Sequence, residues 1–267
     1  MKAKKYFVCS DSHVLMQKGK VAGIDLLTNN AIVKFMEDEG PWDGYIHAGD
    51  NYDLNVISDH NKGKLKLVEG QRLLDDYRAG NAVLEQHYAA VGKPEDFYLI
   101  EANHEYREVR YREAKPELEG FINLELHIPK FVKYIKYWSS NEILQIGKAT
   151  FIHGIGSGRG QCAAGLRDYG TNVFMGHTHR RELVSMRHHG PDSTKIGESL
   201  PCLCEYRQPY LKGAPSSWQQ GFAVFQFWPS GVFNYTVTSV FNHSFFAPSG
   251  KFYNGRKMRP ETKLVVR

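Results

Sequence analysis

Short apolar runs alternate with longer amphipathic stretches through the first two thirds of the chain. The apolar runs predict strands, and each run leads into a polar motif. These strands are predicted at residues 5–10, 45–48, 96–101, 148–152 and 173–175. Apolar residues at helical spacing predict helices at residues 23–39, 65–91, 107–112 and 162–169. Gly80 interrupts the second helical pattern, so either a kink or two separate helices would fit it.

The pattern changes after residue 179, where apolar and polar residues predict strands alone. These strands are predicted at residues 182–186, 221–227 and 233–240, and short turns join them. Together the two parts predict an α/β fold in which two packed sheets are flanked by helices, with antiparallel strands prominent in the C-terminal third. We expect a single domain at residues 1–245. Residues 246–267 are polar, contain Gly and Pro, and are predicted to form a C-terminal extension or tail.

Composition and charge exclude few functions but limit the class of protein. A chain of 267 residues with 42% hydrophobic and 24% charged residues is typical of a soluble protein with a sizeable core. The formal net charge of +5 suits an anionic substrate such as a phosphate ester, but it is too small to indicate nucleic acid by itself. No window approaches the apolar length of a membrane span, so we expect no membrane association.

The cysteines are Cys9, Cys162, Cys202 and Cys204. We interpret them as free thiols in a reducing cytoplasm. Cys202 and Cys204 are two positions apart, so a strand would direct both side chains to the same side. They could bind a metal in principle, but no second pair of cysteines supports that reading.

Polar motifs follow the five predicted strands. In chain order they are Asp11-Ser12-His13, Gly49-Asp50-Asn51-Tyr52-Asp53, Asn103-His104-Glu105, His153-Gly154 and Gly176-His177-Thr178-His179. A strand fixes the backbone and the loop after it lets side chains turn to a common point, so these motifs predict one site. Alone, each has a simpler reading: His13 as a surface residue, Asn103 as a turn residue, and Asp50 as a helix N-cap.

The ligands that these motifs offer are carboxylate, amide and imidazole groups. They come from Asp11, His13, Asp50, Asn103, His153, His177 and His179. This mixture of nitrogen and oxygen suits Mn²⁺, Fe or Zn²⁺ better than Mg²⁺ or Ca²⁺, which prefer oxygen alone. No thiolate is among them, so a structural zinc site is not indicated.

The five motifs and their order resemble the calcineurin-like metallophosphoesterases, over residues from about 5 to 180. The resemblance implies a β-sandwich with helices on both faces and two divalent transition-metal ions, Mn²⁺ first and Fe, Zn²⁺ or Ni²⁺ as alternatives. It implies that one ion is held by Asp11, His13 and His179. Asn103, His153 and His177 would hold the other, and Asp50 would bridge them with one oxygen to each. A bridging water deprotonated near neutral pH would attack the phosphate.

Two further motif residues receive roles from the resemblance. His104 would face the substrate and help to protonate the leaving oxygen; the alternative is that it only orients a phosphate oxygen. Asp53 would hold a ligand histidine or the loop in place, unless it is an exposed turn carboxylate. Ala102 stands where the family usually has Gly, and would be strained if that position needs a positive φ.

Arginines lie close to the motifs in the sequence. Arg107, Arg159 and Arg180 are the candidates for binding a substrate phosphate, since an arginine can clamp a phosphate with two hydrogen bonds. For each of them alone, a charged surface residue is the simpler reading. Residues 154–160 are rich in glycine but lack the Lys-Ser/Thr ending of a P-loop, and predict a loop beside the metals.

The reaction class is indicated more sharply than the substrate. We expect hydrolysis of phosphodiester bonds, most naturally in a nucleotide or nucleic acid. The alternative is a phosphomonoesterase acting on a small metabolite or nucleotide. A protein phosphatase is disfavoured because Leu54-Asn55 stands where that class has Arg-Gly. A non-catalytic scaffold stabilised by metal is also considered. Residues 198–204 and 218–222 resemble a phage- or prophage-encoded branch of the family, which would place the protein in the host cytoplasm.

Overall fold

A computed structural model describes residues 2–154, 156, 158–187, 189, 194–207 and 216–267. The helices are α1 (Leu26–Asp38), α2 (Leu73–Ala90), α3 (Arg107–Ala114), α4 (Tyr137–Ser140) and α5 (Gln161–Tyr169). The strands are β1 (Lys4–Cys9), β2 (Leu15–Gln17), β3 (Lys20–Ala22), β4 (Gly44–His47), β5 (Asp96–Ile100), β6 (Lys133–Ile135), β7 (Leu144–Ile146), β8 (Ala149–Ile152), β9 (Asn172–Met175), β10 (Glu182–Arg187), β11 (Thr194–Ser199), β12 (Gln220–Phe227), β13 (Phe233–Val240), β14 (Ser244–Phe246) and β15 (Phe252–Asn254). No helix among these residues is long and apolar enough to cross a bilayer.

Most strands belong to two sheets of mixed direction. The larger sheet has the order β13-β12-β1-β4-β5-β6, in which β1, β4, β5 and β6 are parallel. The smaller sheet has the order β10-β11-β9-β8-β7, in which β11, β9 and β8 are parallel. The C-terminal strands β12 and β13 pair antiparallel with each other, and β12 pairs antiparallel with β1. Strands from both ends of the chain therefore meet at the centre of the larger sheet.

Aromatic side chains fill the space between the two sheets. Phe225 of the larger sheet packs against Phe151 and Phe174 of the smaller sheet, with ring centroids 5.1 and 4.7 Å apart. All three rings are fully buried. Such rings contribute most to core stability because each removes a large apolar area from water. The two sheets thus form a sandwich, and the predicted two-sheet α/β fold is confirmed.

Helices cover the outer faces of the sandwich. Phe35 of α1 packs on Phe222 of the larger sheet at a centroid distance of 4.8 Å, and Tyr88 of α2 packs on Phe97 at 5.2 Å. Helix α5 lies against β9, β10 and β11 of the smaller sheet. The predicted flanking of both sheets by helices is therefore also found.

The second helix is shorter and more regular than the sequence pattern predicts. Residues 65–67 form a separate 3₁₀ turn, and α2 begins only at Leu73. Gly80 lies inside α2, which is one continuous helix, so the alternative of two separate helices was wrong. A Cβ added at Gly80 would lie 2.2 Å from the ring of Tyr52. The glycine is needed for this close approach, which periodicity cannot reveal.

Part of the segment predicted as a C-terminal extension packs against the rest of the chain. Strands β14 and β15 form a hairpin, so the predicted boundary at residue 245 falls inside one of its strands. Phe245 and Tyr253 are buried, and their stacked rings are 5.3 Å apart. Tyr253 also packs edge-on against Phe35 of α1 at 5.5 Å. Single buried aromatics in a polar stretch give too weak a periodic signal for a sequence-based prediction.

Candidate metal centre

The polar motifs all follow the carboxyl ends of parallel strands. Asp11 follows β1, and Asp50 and Asn103 follow β4 and β5 in the same sheet. His153 and His177 follow β8 and β9 of the smaller sheet. Because parallel strands end at the same edge, the motifs of each sheet meet there, and the sandwich brings the two edges together. This is the reason why residues far apart in the sequence form one site.

Several of these side chains stand on backbone in the left-handed region. The φ angles are 54° at Asp11, 49° at His13, 54° at Asp50, 78° at His177 and 56° at His179. Residues other than glycine adopt this region rarely, and such conformations cluster at functional sites. The turns aim side chains that a regular strand would send elsewhere. Ala102 is not among the residues with positive φ, so the alanine at that position is unstrained.

The first cluster consists of Asp11, His13, Asp50 and His179, all of them buried. The Nε2 atom of His179 lies 3.1 Å from Oδ1 of Asp11 and 3.0 Å from Nε2 of His13. The Nε2 atom of His13 lies 3.6 Å from Oδ2 of Asp50. Two imidazoles and two carboxylates therefore converge on one point.

The second cluster consists of Asp50, Asn103, His153 and His177. The Nε2 atom of His153 lies 3.1 Å from Oδ1 of Asn103 and 3.2 Å from Nδ1 of His177. It also lies 3.4 Å from Oδ2 of Asp50. His177 and His179 are two positions apart but face different clusters, because each follows a left-handed turn.

Asp50 belongs to both clusters, and its two carboxylate oxygens have different neighbours. Its Oδ2 atom is the oxygen close to both His13 and His153, at 3.6 and 3.4 Å. Its Oδ1 atom instead accepts a hydrogen bond of 3.0 Å from the backbone N–H of His104. A single oxygen of Asp50 thus faces histidines of both clusters, and the bridging of two ions with one oxygen to each stays a prediction.

The donor set fits cations at both clusters. The Nδ1–H group of His153 donates to the carbonyl of Ala48 at 2.8 Å, so the neutral form of this ring directs the lone pair of Nε2 at the second cluster. The Nδ1 atom of His13 lies 3.3 Å from Oδ1 of Asp53, which fixes that ring in the same sense. The carboxylate oxygens, the amide oxygen of Asn103 and the neutral form of these rings are the kinds of ligand atom that bind a divalent transition-metal ion.

The pKa values of the buried carboxyl and imidazole groups also favour cation binding. Burial would raise the pKa of Asp11 and of Asp50, but neighbouring imidazoles, His179 for Asp11 and His104 for Asp50, hold both pKa values below their ordinary range. Burial would lower the pKa of His153, but Asp50, Asp11 and the Ala48 carbonyl raise it to about 9. Both carboxylates are therefore ionised in a buried site, and such a site favours positive charge.

His104, Asp53 and Arg107 form a group beside the clusters. The Nδ1 atom of His104 lies 2.8 Å from Oδ1 of Asp53, and Nε2 lies 3.9 Å from Oδ2 of Asp50. Arg107 donates to the carbonyl of Asp53 at 2.5 Å and to Nε2 of His104 at 3.0 Å. Asp53 thus contacts both His13 and His104, and it is buried rather than an exposed turn residue. Arg107 therefore covers the Nε2 atom of His104.

The other two arginines lie on one side of the site. Arg180 directly follows His179 and donates to the carbonyl of Gly158 at 3.3 Å. Arg159 is exposed in the loop before α5. Residues 155 and 157 of the predicted glycine-rich loop lie outside the described residues. Of the three candidate arginines, Arg107 contacts two residues of the motifs, Asp53 and His104.

Sequence reasoning gave no role to two residues that support the clusters. Glu105 accepts hydrogen bonds from the backbone N–H groups of Asp50, Tyr52 and Ala102, at 3.1, 3.0 and 3.2 Å. It therefore holds the loop of Asp50 to the loop of Asn103, and its place inside a ligand motif was the available signal. Cys204 lies 3.8 Å from Nδ1 of His179, and no motif connects these two positions.

Comparisons with known proteins give only distant similarities. No known family model matches the chain, and no curated protein matches its sequence. Among solved structures, Vps29 from Chaetomium thermophilum is similar at 10% identity and a TM-score of 0.40, over 89% of this chain and 97% of that one. The NAD nucleotidase NadN of Haemophilus influenzae gives 12% and 0.40, over 94% of this chain and 59% of that one. The calcineurin-like phosphoesterase YfkN of Bacillus subtilis gives 10% and 0.35, over 98% and 94%. Similarities this distant do not assign a function.

Proposed function

We propose that this protein is a metal-dependent phosphoric ester hydrolase of the calcineurin-like class that acts on phosphodiester bonds in nucleotides or nucleic acid. One observation carries the proposal. Two largely buried clusters of carboxylate, amide and imidazole groups share a single carboxylate oxygen, Oδ2 of Asp50, at the edge where the parallel strands of both sheets end. The order of the five sequence motifs supports the same class.

The two clusters would hold two divalent transition-metal ions, for which Mn²⁺ is the first expectation. Asp11, His13 and His179 would bind one, Asn103, His153 and His177 the other, with Asp50 shared between them. Such ions supply Lewis-acid polarisation of the phosphoryl group and a strong nucleophile from water at neutral pH. A purely structural site needs no shared carboxylate and no histidine at its rim, so this arrangement favours catalysis over a metal-stabilised scaffold.

His104 would assist the leaving group from its Nε2 atom. Its Nδ1 atom lies 2.8 Å from Oδ1 of Asp53, and this contact orients the ring. Arg107 contacts Nε2 at 3.0 Å and must leave it before that nitrogen can donate to a leaving oxygen. A substrate phosphate offers the guanidinium a stronger partner than a neutral imidazole. Arg107 would then bind the phosphate, with Arg180 and Arg159 as weaker candidates at the rim.

A panel of three substrates tests the proposal. The full chain, loaded with Mn²⁺, is assayed on bis-p-nitrophenyl phosphate, on p-nitrophenyl phosphate and on labelled DNA. We expect hydrolysis of the first and third to exceed that of the second, and all activity to vanish in excess chelator and return with Mn²⁺. A preference for p-nitrophenyl phosphate would make the protein a phosphomonoesterase. Full activity in excess chelator, with metal analysis showing an empty site, would overturn the metal dependence.

A further inference from the structure

Three soft or borderline ligand atoms meet behind the first cluster. Cys202, Cys204 and His179 are buried, and one ligand atom from each lies within 4.8 Å of the others. The segment that carries the cysteines is held against the first motif, because Leu203 N–H donates to the carbonyls of Ser10 and Asp11 at 3.1 Å. The sequence offered only a pair of cysteines, and the fold supplies a third ligand.

The distances suit a metal of the zinc group. Thiolate sulfur and imidazole nitrogen around a tetrahedral zinc ion lie about 3.6 Å apart, given ordinary bond lengths. The Sγ atom of Cys204 lies 3.8 Å from Nδ1 of His179. Two sulfurs with one nitrogen favour Zn²⁺ or Cd²⁺ over Mn²⁺, since soft ligands select soft ions. We propose that Cys202, Cys204 and Nδ1 of His179 form a binding site for a thiophilic divalent ion, called the thiol site below.

The thiol site shares its histidine with the first cluster. Nε2 of His179 faces Asp11 at 3.1 Å, while Nδ1 faces Cys204 at 3.8 Å. A neutral imidazole has one lone pair and one N–H, so only one of its nitrogens can act as an ordinary metal ligand at a time. An ion at the thiol site takes the Nδ1 lone pair of the neutral ring, so any ring proton must be on Nε2, and the protons of the two thiols are released to solvent. The first cluster then loses one of its ligands, so the two sites compete for His179.

Cadmium alone tests the site without any assay of hydrolysis. The metal-free full chain is titrated with Cd²⁺, and the ultraviolet sulfur-to-cadmium charge-transfer band is recorded. We expect a band that saturates at one ion per chain in the parent protein and in Cys162→Ser, which alters another buried free cysteine. Cys202→Ser and Cys204→Ser should each weaken binding by more than about tenfold. Circular dichroism shows which variants are folded.

The outcomes separate the thiol site from the proposed function. A missing band in the parent protein, or an equal band in a folded Cys202→Ser or Cys204→Ser variant, overturns the thiol site. The competition of the two sites for His179 rests on the proposed metal centre. It is measured by electron paramagnetic resonance as the release of Mn²⁺ when one equivalent of Cd²⁺ is added. We expect release from the parent and much less from the double variant of Cys202 and Cys204. Equal release from both overturns the sharing of His179. If Mn²⁺ does not bind at all, the proposed function fails, while the cadmium band still decides the thiol site.

Discussion

The two clusters that share Asp50 differ in what supports their histidines from behind. In the first cluster the supports are side chains: Asp53 lies 3.3 Å from His13, and Cys204 lies 3.8 Å from His179. In the second cluster His153 is held by a backbone carbonyl, that of Ala48, at 2.8 Å. A side-chain support can be changed by a single substitution or by a competing ligand, whereas a backbone support cannot. The first cluster is therefore the adjustable half of the site.

The largest expected effect comes from the residue that both halves share. Asp50→Asn should remove or weaken both ions, whereas Asp11→Asn should weaken the first ion more than the second. An asparagine that kept the hydrogen bond from the His104 N–H to its oxygen would turn its NH₂ group toward both clusters, where a cation should bind. Metal analysis and turnover of the two variants measure the difference. Two ions per chain and normal turnover in Asp50→Asn would show that the shared role is wrong.

His104 tests whether the rim of the site does chemistry apart from metal binding. His104→Ala should keep both ions, and its rate should fall by roughly 10²–10⁴-fold on substrates with poor leaving groups. Good leaving groups such as p-nitrophenolate need little protonation and should suffer much less. Equal losses on both kinds of substrate would mean that His104 only positions the phosphate. Loss of metal from this variant would place His104 in the first cluster's support instead, since its ring lies 4.4 Å from that of His13.

A substitution of Asp53 tests the difference between the two clusters. Asp53→Asn keeps the shape of the side chain but removes the charge that faces Nδ1 of His13. We expect one of the two ions to bind roughly 10–100-fold more weakly, the usual cost of losing such a support, and the other to bind as before. Competitive titration with a chromophoric chelator resolves the two affinities. Equal weakening of both ions would contradict the division into an adjustable and a fixed half.

The sequence predicts the strands and the motifs better than it predicts how they meet. Asp11, Asp50 and Asn103 could be placed at strand ends because an apolar run stops just before each of them. Parallel pairing then brings them together, and the structure does unite every predicted ligand in the two clusters. A pattern of apolar and polar residues can predict these strand ends because strands and their burial follow local rules.

The supports could not be predicted because they depend on contacts between distant segments. Cys204 and His179 are 25 positions apart and meet only through the packing of the loop after β11. The choice of one oxygen of Asp50 depends on the His104 N–H, 54 positions away. The left-handed turns at His177 and His179 also oppose local preference, and sequence rules are expected to fail at such functional positions.

The smallest effect on the clusters is expected from Asp76, a buried carboxyl in α2 on the side of the first cluster. Its Oδ1 atom accepts from the N–H of Met16 at 2.8 Å, in the strand that follows the first motif, while Oδ2 has no partner among the described residues. Burial raises the pKa of Asp76 to about 7. The folded protein thus holds a proton that the unfolded chain has already lost, and stability falls as the pH rises from about 4 to 7.

Asp76→Asn should remove this pH dependence without changing metal content or turnover at neutral pH. Relative to the parent, the free energy of unfolding of the variant should be higher at pH 8 than at pH 5, by at least about 1 kcal/mol, since each unit of pKa shift corresponds to about 1.4 kcal/mol. Urea denaturation of the metal-free chain at the two pH values measures it. Asp75→Asn is the matched control, because Asp75 is partly exposed and pairs with Arg78 at 3.1 Å, so its loss should shift both values alike. A parallel shift in Asp76→Asn as well would mean that this carboxyl is ionised in the folded protein. The hydrogen bond from the Met16 N–H to Asp76 would then not weaken as the pH rises. Asp53 and Cys204 would be the side chains that make the first cluster adjustable.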